Sequence, residues 1–426
     1  MATEQPADAV SDASNRILVI GAGMVGVSAA LALQHEGLAV ALVDRGAPGE
    51  GASFGNAGLL AASSNVPVNT PGLIRRAIKM LADPLPALHL RWSYLPRMAP
   101  WLLAYLRRCD TETATTTAAH IDLLIHDCLD RHRALAKGTK AEARIRSMPY
   151  LFAYPGRAAY EADAFTWALR RAAGWQWRMV TGEAARELEP DLAPRYDCLA
   201  VFDDQHGFIS EPGAYVKELA DTFVERGGEF IQASVQDFDM AGGHPVAAIT
   251  DQGRLPFRTV VIAAGAWSAR LTAKLGIKIP LEAERGYHVE FKDPSVRPRH
   301  SIQISDGKCV ATPMDHALRI AGLVEFGGLE AGPSTRPGEV LRARAKALLP
   351  DLQFTEQSEW LGHRPATSDS LPVIGPTGKH DNVHLAFGHA HVGLTGGPRT
   401  GQLIADIIAG RRPNIDMTPY RPERFG

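Results

Sequence analysis

Arg16-Ile-Leu-Val-Ile-Gly21-Ala-Gly23-Met24-Val25-Gly26-Val-Ser-Ala-Ala-Leu reads as a buried strand that runs into a glycine-rich turn and then a helix. Gly21 permits the tight turn, Gly23 lets a pyrophosphate approach the backbone, and Gly26 lets helix and strand pack closely. The helix start, at Met24 and Val25, offers N–H groups without intrahelical partners to anionic oxygen. A second apolar strand, Leu38 to Val43, ends at Asp44, where an acidic side chain about 20 positions on meets a ribose hydroxyl. The glycine pattern alone is a weak signal. With strand, helix and acid in place it predicts a dinucleotide cradle in a Rossmann-like α/β unit.

The chain has 426 residues and a formal net charge of −2, enough length for two domains and too little positive charge for a nucleic-acid partner. Cys109, Cys128, Cys198 and Cys309 lie far apart with no C-x-x-C pair, as expected of reduced, mostly buried thiols in a cytoplasmic protein. Residues 1–13 read as a disordered leader, because the polar N-terminus has neither the basic nor the apolar region of a secretory signal. No run reaches the roughly 18 apolar residues of a spanning helix.

After Asp44 and Arg45 comes a second small-residue stretch, Ser53-Phe-Gly55-Asn56-Ala57-Gly58, which reads as a backbone-driven binding loop with hydrogen-bonding side chains at Ser53 and Asn56. Residues 71–109 form helices broken by prolines, with seven basic side chains against Asp83 and with Trp92, Tyr94 and Trp101 among them. Such a face suits an anionic membrane surface, such as the inner face of a membrane, but a helical cap packed on a neighbouring domain is the preferred reading. One long helix is expected over Thr111 to Lys140, in which His126 and His132 read as surface or core residues. The helix Gly213 to Arg226 and the strand Glu229 to Val235 return the chain to the parallel sheet, and place Val235 at its carboxyl end near an adenine. Another buried strand ends in Ala264-Gly265-Ala-Trp267. From Pro280 onward, alternation predicts half-buried antiparallel strands of a second domain. The last strand–turn–helix, through Gly388-His389-Ala-His391-Val-Gly393-Leu394-Thr395, offers a helix N-terminus to an anionic ring atom. His389 and His391 have no clear carboxylate partner, so a metal site is not expected there.

Five blocks in order carry a resemblance: the opening glycine motif with Asp44, Ser53 to Gly58, Ala263-Ala264-Gly265-Ala-Trp267-Ser268, Arg285-Gly-Tyr287, and Arg364-Pro followed by Pro372-Val-Ile-Gly375 and Gly388-His389. Over nearly its whole length the chain resembles the flavoprotein amine-oxidoreductase family that includes D-amino-acid oxidase, glycine oxidase, sarcosine oxidase and bacterial D-amino-acid dehydrogenase. The Ser53 loop and the basic cap look most like the D-amino-acid dehydrogenase branch.

The resemblance implies non-covalent FAD. Gly21, Gly23 and Gly26 would lie at its pyrophosphate, Asp44 at its ribose, Val235 and Gly265 along its adenosine half, and the Ser53–Gly58 loop and the Gly393-Leu394-Thr395 turn beside its ring system. It also implies that Arg364 grips a substrate carboxylate, with Tyr287 lining the same pocket. Arg285, His389 and His391 stand as further candidates, and His391 occupies the place of an arginine in the glycine-oxidase pattern. Cys309 is read as a core thiol. The implied reaction is oxidation of an amino acid at Cα, a D-amino acid, with cyclic ones such as a proline derivative included, and with electrons passed to a quinone or other acceptor. The alternatives are an oxidase using dioxygen, oxidation of N-methyl amino acids such as sarcosine, and a flavin-binding partner protein without catalysis. The resemblance divides the chain into a discontinuous FAD-binding domain, 14–67, 200–280 and 358–418, and a substrate or cap domain, 68–199 and 281–357.

Overall fold

The computed structural model describes residues 15–426, so the expected leader lies outside the described residues. Two sheets organise the chain. The first has six strands in the order Glu229–Gln232, Val40–Asp44, Ile17–Ile20, Thr259–Ile262, Val383–Phe387 and Val373–Pro376. The first five are parallel and the last is antiparallel to its neighbour. Ile17, Val19 and Leu42 face the helices Met24–His35 and Gly393–Ile408, while Leu18, Ile20 and Val43 pack against Phe238, Ala248 and Phe257 of a three-stranded antiparallel sheet. Both faces are covered, which is why these strands read as continuous apolar runs rather than alternating ones.

The strand Glu229–Gln232 stops before Val235, contrary to expectation. Ala233 and Ser234 intervene, and Val235 begins the antiparallel strand Val235–Ala241, paired with Thr250. The expected single helix over 111–140 is two, Thr111–Ile125 and Cys128–Ala136. At the break Asp122 accepts from Trp175 Nε1 at 2.9 Å and the His126 ring packs on Trp175, so side-chain anchoring overrides the periodicity that runs through this segment.

The second sheet has nine strands. Its working edge consists of Glu356–Thr367, Leu281–Lys292 and Ala317–Phe326, all antiparallel, with the helix Thr335–Leu348 packed beneath them. The boundary expected at 358 therefore falls inside a strand. Glu356–Thr367 pairs with Leu281–Lys292 from Lys292↔Glu356 to Leu281↔Thr367, and so carries Arg364 within the substrate sheet rather than the nucleotide unit. Its first residues, Glu356 to Glu359, are exposed and polar, which hides the strand from an apolar reading. The boundary between 199 and 200 likewise cuts the strand Cys198–Phe202 of this sheet.

Candidate active site

A cavity of about 1550 Å³ runs from the glycine turn to the substrate sheet. That exceeds the roughly 300–1,000 Å³ of a drug-sized site and leaves room for a dinucleotide together with a small second ligand. At its first end Gly21 has φ +111°, and a Cβ there would lie 2.4 Å from the Ala263 carbonyl oxygen. A Cβ on Gly26 would lie 1.8 Å from the Gly21 oxygen. Gly23 differs from both: an added Cβ would meet only the Ser53 Oγ, at 3.3 Å, so this glycine opens onto the cavity. Asp44 accepts from the Ala22 and Gly46 N–H groups at 2.7 and 3.1 Å. Ser53 Oγ accepts from the Met24 N–H at 2.9 Å, holding the binding loop against the helix start. Arg45 lies 3.8 Å over the Trp267 ring, and Val25, Val235, Ala264 and Gly265 line the adjoining wall.

The middle of the cavity is shaped by the substrate sheet acting on the Ser53–Gly58 loop. His288 Nδ1 donates to the Gly55 carbonyl at 2.8 Å, Thr312 Oγ1 to that of Ala57 at 2.8 Å, and Arg319 Nη1 to that of Asn56 at 2.7 Å. Within the loop, the Asn56 side chain bonds the Ser53 carbonyl and the Gly58 N–H. The indole of Trp360 fills the space left by Gly55 and Gly362, where added Cβ atoms would approach the ring to 2.1 and 2.0 Å. Opposite lie Gly393, Leu394 and Thr395, the first residues of a 16-residue helix whose initial N–H groups have no intrahelical acceptor. His132, read as a core residue, is buried and bonds Tyr215 Oη and the Leu394 carbonyl at 2.8 and 2.9 Å, fixing this helix start.

At the far end the Arg364 side chain leaves the strand Glu356–Thr367, passes over Gly286 and donates to the Leu323 carbonyl at 2.9 Å on the third strand. Burial lowers its pKa and the neighbouring Glu284 opposes that shift. Trp101 and Tyr105, stacked at 4.7 Å, close one side. The turn after Gly388 closes another. Ala390, at φ +46°, donates to the Pro365 carbonyl at 2.9 Å and so ties the turn to the Arg364 strand. His389 is buried against Thr400 Oγ1 at 2.9 Å, whereas His391 is open to the cavity. Enclosure pushes both rings down to about 4, with the Arg364 charge adding to the effect on His391, so both are neutral near pH 7.

Arg285 and the hydroxyl of Tyr287 turn away from this chamber. Successive side chains on a strand point to opposite faces, and Arg285 and Tyr287 lie on the face opposite Arg364. Arg285 is fully buried against Glu325, with Nη2 on the Gly332 carbonyl at 2.6 Å, and it does not line the cavity. Tyr287 forms part of the wall, yet its hydroxyl donates to Glu325 and accepts from the Ser334 N–H at 3.1 Å. The same alternation brings in Glu284, which shares the Arg364 face and which the motif Arg285-Gly-Tyr287 passes over. Tyr105 and Trp360 gave no comparable sequence signal.

Cys309 is buried, and burial pushes its thiol up to about 12. Among the described residues no cluster of metal-ligating side chains occurs, and no helix is long and apolar enough to cross a membrane. The segment 71–109 divides in two. Helix Leu95–Leu106 buries Met98, Trp101 and Tyr105, whereas helix Leu73–Leu81 buries no side chain.

An open glycine over a helix start, an acid at the end of the second strand and a cavity lined by a partly buried arginine fit a dinucleotide-dependent oxidoreductase. The chain belongs to the DAO family of FAD-dependent oxidoreductases, whose pattern matches residues 16–407. It is 39% identical to a D-amino-acid oxidase of Bradyrhizobium diazoefficiens, over 96% of this chain and 98% of that protein. It is 28% identical to a D-amino acid dehydrogenase of the same organism, over 96% and 99% of the two chains. An L-proline dehydrogenase structure from P. horikoshii superposes with a TM-score of 0.73 at 18% identity, covering 97% of this chain and 98% of that one, a likeness of fold alone. The cofactor of the family is FAD, and the cradle fits it: Gly23 leaves the phosphate approach clear and the start of the helix Gly393–Ile408 borders the middle of the cavity.

Proposed function

We propose that this enzyme oxidises a free amino acid at Cα, with a D-amino acid as the substrate class, and that Arg364 holds the substrate carboxylate. The observation that carries the reading is Arg364 itself, a partly buried guanidinium on the substrate-sheet wall of the cavity, held by the Leu323 carbonyl. Its planar fork matches a carboxylate bidentately. The names of the 39% and 28% identical relatives support the D configuration. FAD supplies a ring that accepts the hydride leaving Cα. The protein's share is to orient the substrate through Arg364, exclude water with Trp101 and Tyr105, and offer neutral histidines at 389 and 391. The product imino acid then hydrolyses in water to keto acid and ammonia.

The test is anaerobic bleaching of the bound flavin by a panel of D- and L-amino acids and sarcosine. Bleaching by D-amino acids is expected; bleaching by none of the panel overturns the reading, and formaldehyde release would assign N-methyl substrates instead. For the acceptor, the Ser53 loop favours a quinone. A second reading, dioxygen, is favoured by the name of the 39% identical relative. Peroxide formed in step with substrate loss assigns dioxygen; turnover only with a quinone analogue assigns the first. Peripheral contact with an anionic membrane is proposed for helix Leu73–Leu81, where Ile74 and Ile78 are 58% and 64% exposed one turn apart beside Arg75, Arg76 and Lys79. Failure to sediment with anionic vesicles removes that contact.

A further inference from the structure

Glu284 lies on the strand face shared with Arg364 and, unlike Glu282 on the same strand, lines the cavity. Glu284 and Arg364 are cross-strand partners, and Glu284 is 6% exposed. Among the described residues its carboxylate has neither a hydrogen-bond nor an ion-pair partner. Its oxygens open onto the cavity rather than being sealed in protein, so a cation or donor on a ligand can reach them there. The Arg364 guanidinium does not reach them, because it leans away over Gly286 and is engaged by the Leu323 carbonyl. Gly286 and Glu284 are two residues apart on one strand, so the centres of the two charged positions lie about 6–7 Å apart along the chain direction, at ~3.3 Å per residue. One amino-acid head group, making a charge-assisted hydrogen bond of about 2.7–2.9 Å at each end, fills that span.

We propose that Glu284 receives the α-ammonium of the substrate bound at Arg364 and takes one of its protons, leaving the neutral amine from which the Cα hydride departs. The assignment rests on the amino-acid reading given above. The balance is simple. The N–H bond breaks and an O–H bond forms on Glu284; the freed nitrogen lone pair then makes the C=N bond as the Cα–H pair leaves to the family's flavin; the proton on Glu284 passes to water when product leaves. A Cα hydride cannot leave from an ammonium, whose nitrogen has no lone pair to donate, so an acceptor in this place accelerates the step at neutral pH.

The groups facing Glu284 are Arg364 on the adjoining strand, Glu282 on its own strand and Tyr105 on helix Leu95–Leu106. Burial raises the Glu284 pKa, Arg364 lowers it and Glu282 raises it further, with a net upward shift. The ionised form is the acceptor, so flavin reduction is retained above this raised pKa and lost as pH falls through it.

The test compares wild-type holoenzyme with Glu284→Gln by anaerobic flavin reduction across pH, and by titration with benzoate, a carboxylate without an amine, followed through the flavin spectrum. The variant is expected to bind benzoate at least as tightly as wild type. Its reduction by the amino acid is expected to slow by about 100-fold at pH 7 and to recover as pH approaches the pKa of the substrate ammonium. Slowing by the same factor at every pH, or no slowing, overturns the proposal. Should the variant not fold, the wild-type profile decides: a plateau reached below the pKa of the substrate ammonium supports an enzyme-borne acceptor, and a rise continuing to that pKa overturns it. If no amino acid reduces wild-type flavin, the functional reading falls and this assignment with it. If amino acids do reduce it and the variant's profile parallels wild type, Glu284 alone is refuted.

Discussion

The guanidinium of Arg364 occupies the space in which Gly286 lacks a side chain: a Cβ on Gly286 would lie 2.3 Å from the Arg364 Cζ. The Arg-Gly-Tyr block is thereby explained through its middle residue, which clears the path by which an arginine on one strand reaches across a second to the Leu323 carbonyl on a third. Gly286→Ala is therefore expected to displace the guanidinium while leaving the flavin cradle intact. Loss of a charge-assisted hydrogen bond, worth about 1.5–3 kcal/mol, corresponds to a rise in KM of roughly 10- to 150-fold. Steady-state kinetics beside the flavin-to-protein absorbance ratio checks it; unchanged KM would show that Arg364 does not touch substrate.

Replacing Arg364 itself separates charge from shape. Arg364→Lys keeps a cation but loses the planar fork, and its shorter reach does not span three strands. Truncating one partner of a buried charge pair costs about 2–5 kcal/mol, so Arg364→Ala is expected to lower kcat/KM by roughly 30- to 5,000-fold with flavin retained. The lysine variant is expected to fall nearer to alanine than to wild type. Rescue by lysine to within about threefold would mean that charge alone acts here.

Much of this was legible in the chain, for reasons that differ from block to block. The cradle was readable because Gly21 and Gly26 are local solutions to a local crowding problem, and each would clash with backbone only a few residues away or on the neighbouring strand. Arg364 was readable only through resemblance, since nothing in Trp-Leu-Gly-His-Arg-Pro announces the partner strand that positions it. Arg285 was misplaced because a motif reads as a unit, whereas a strand sends alternate side chains to opposite faces, so that Glu284 and Gly286 share the Arg364 face and Arg285 does not line the cavity. Trp360 stayed hidden because its site is made by Gly55, some 300 residues earlier in the chain. Pairing and register, not composition, create such sites.

The cradle makes a prediction with a readout other than turnover. A methyl group on Gly26 would sit 1.8 Å from the Gly21 backbone oxygen, which cannot move without shifting the strand Ile17–Ile20. Gly26→Ala is expected to yield protein with less than about a tenth of the wild-type flavin content, on the scale of a loss of 1.4 kcal/mol or more in binding. Gly23→Ala is the informative contrast: its Cβ meets only the Ser53 Oγ, so the apoprotein is expected to fold as wild type does and to lose flavin affinity alone. Equal thermal destabilisation of the two apoproteins would contradict the division between a packing glycine and an approach glycine.

The buried histidines set the acid limit of the fold. His132, His206, His288, His384 and His389 are all buried, and burial pushes each down to about 4. In the unfolded chain each titrates near 6.5, so between pH 6.5 and 4 the unfolded state binds protons that the folded state does not. Stability from these groups is complete above about pH 6.5 and falls as pH drops toward 4, by about 1.4 kcal/mol per pH unit for each proton. Glu282 and Glu284 act in the opposite sense: their pKa values are raised on folding, so they favour the folded state as they take up protons. Asp122 and Glu211 are raised in the same way; the five histidines outnumber these four carboxylates, and a domain holds only about 5–15 kcal/mol in reserve. The melting temperature is therefore expected to fall steeply below about pH 6. The net slope of stability against pH should exceed that of one proton, measured by urea titration at several pH values. His389→Gln, which keeps a side chain able to meet Thr400, should cost stability at pH 7 yet flatten the slope by about one proton. A slope unchanged in that variant would mean that His389 is already protonated in the fold, and would remove it as a neutral group beside the substrate.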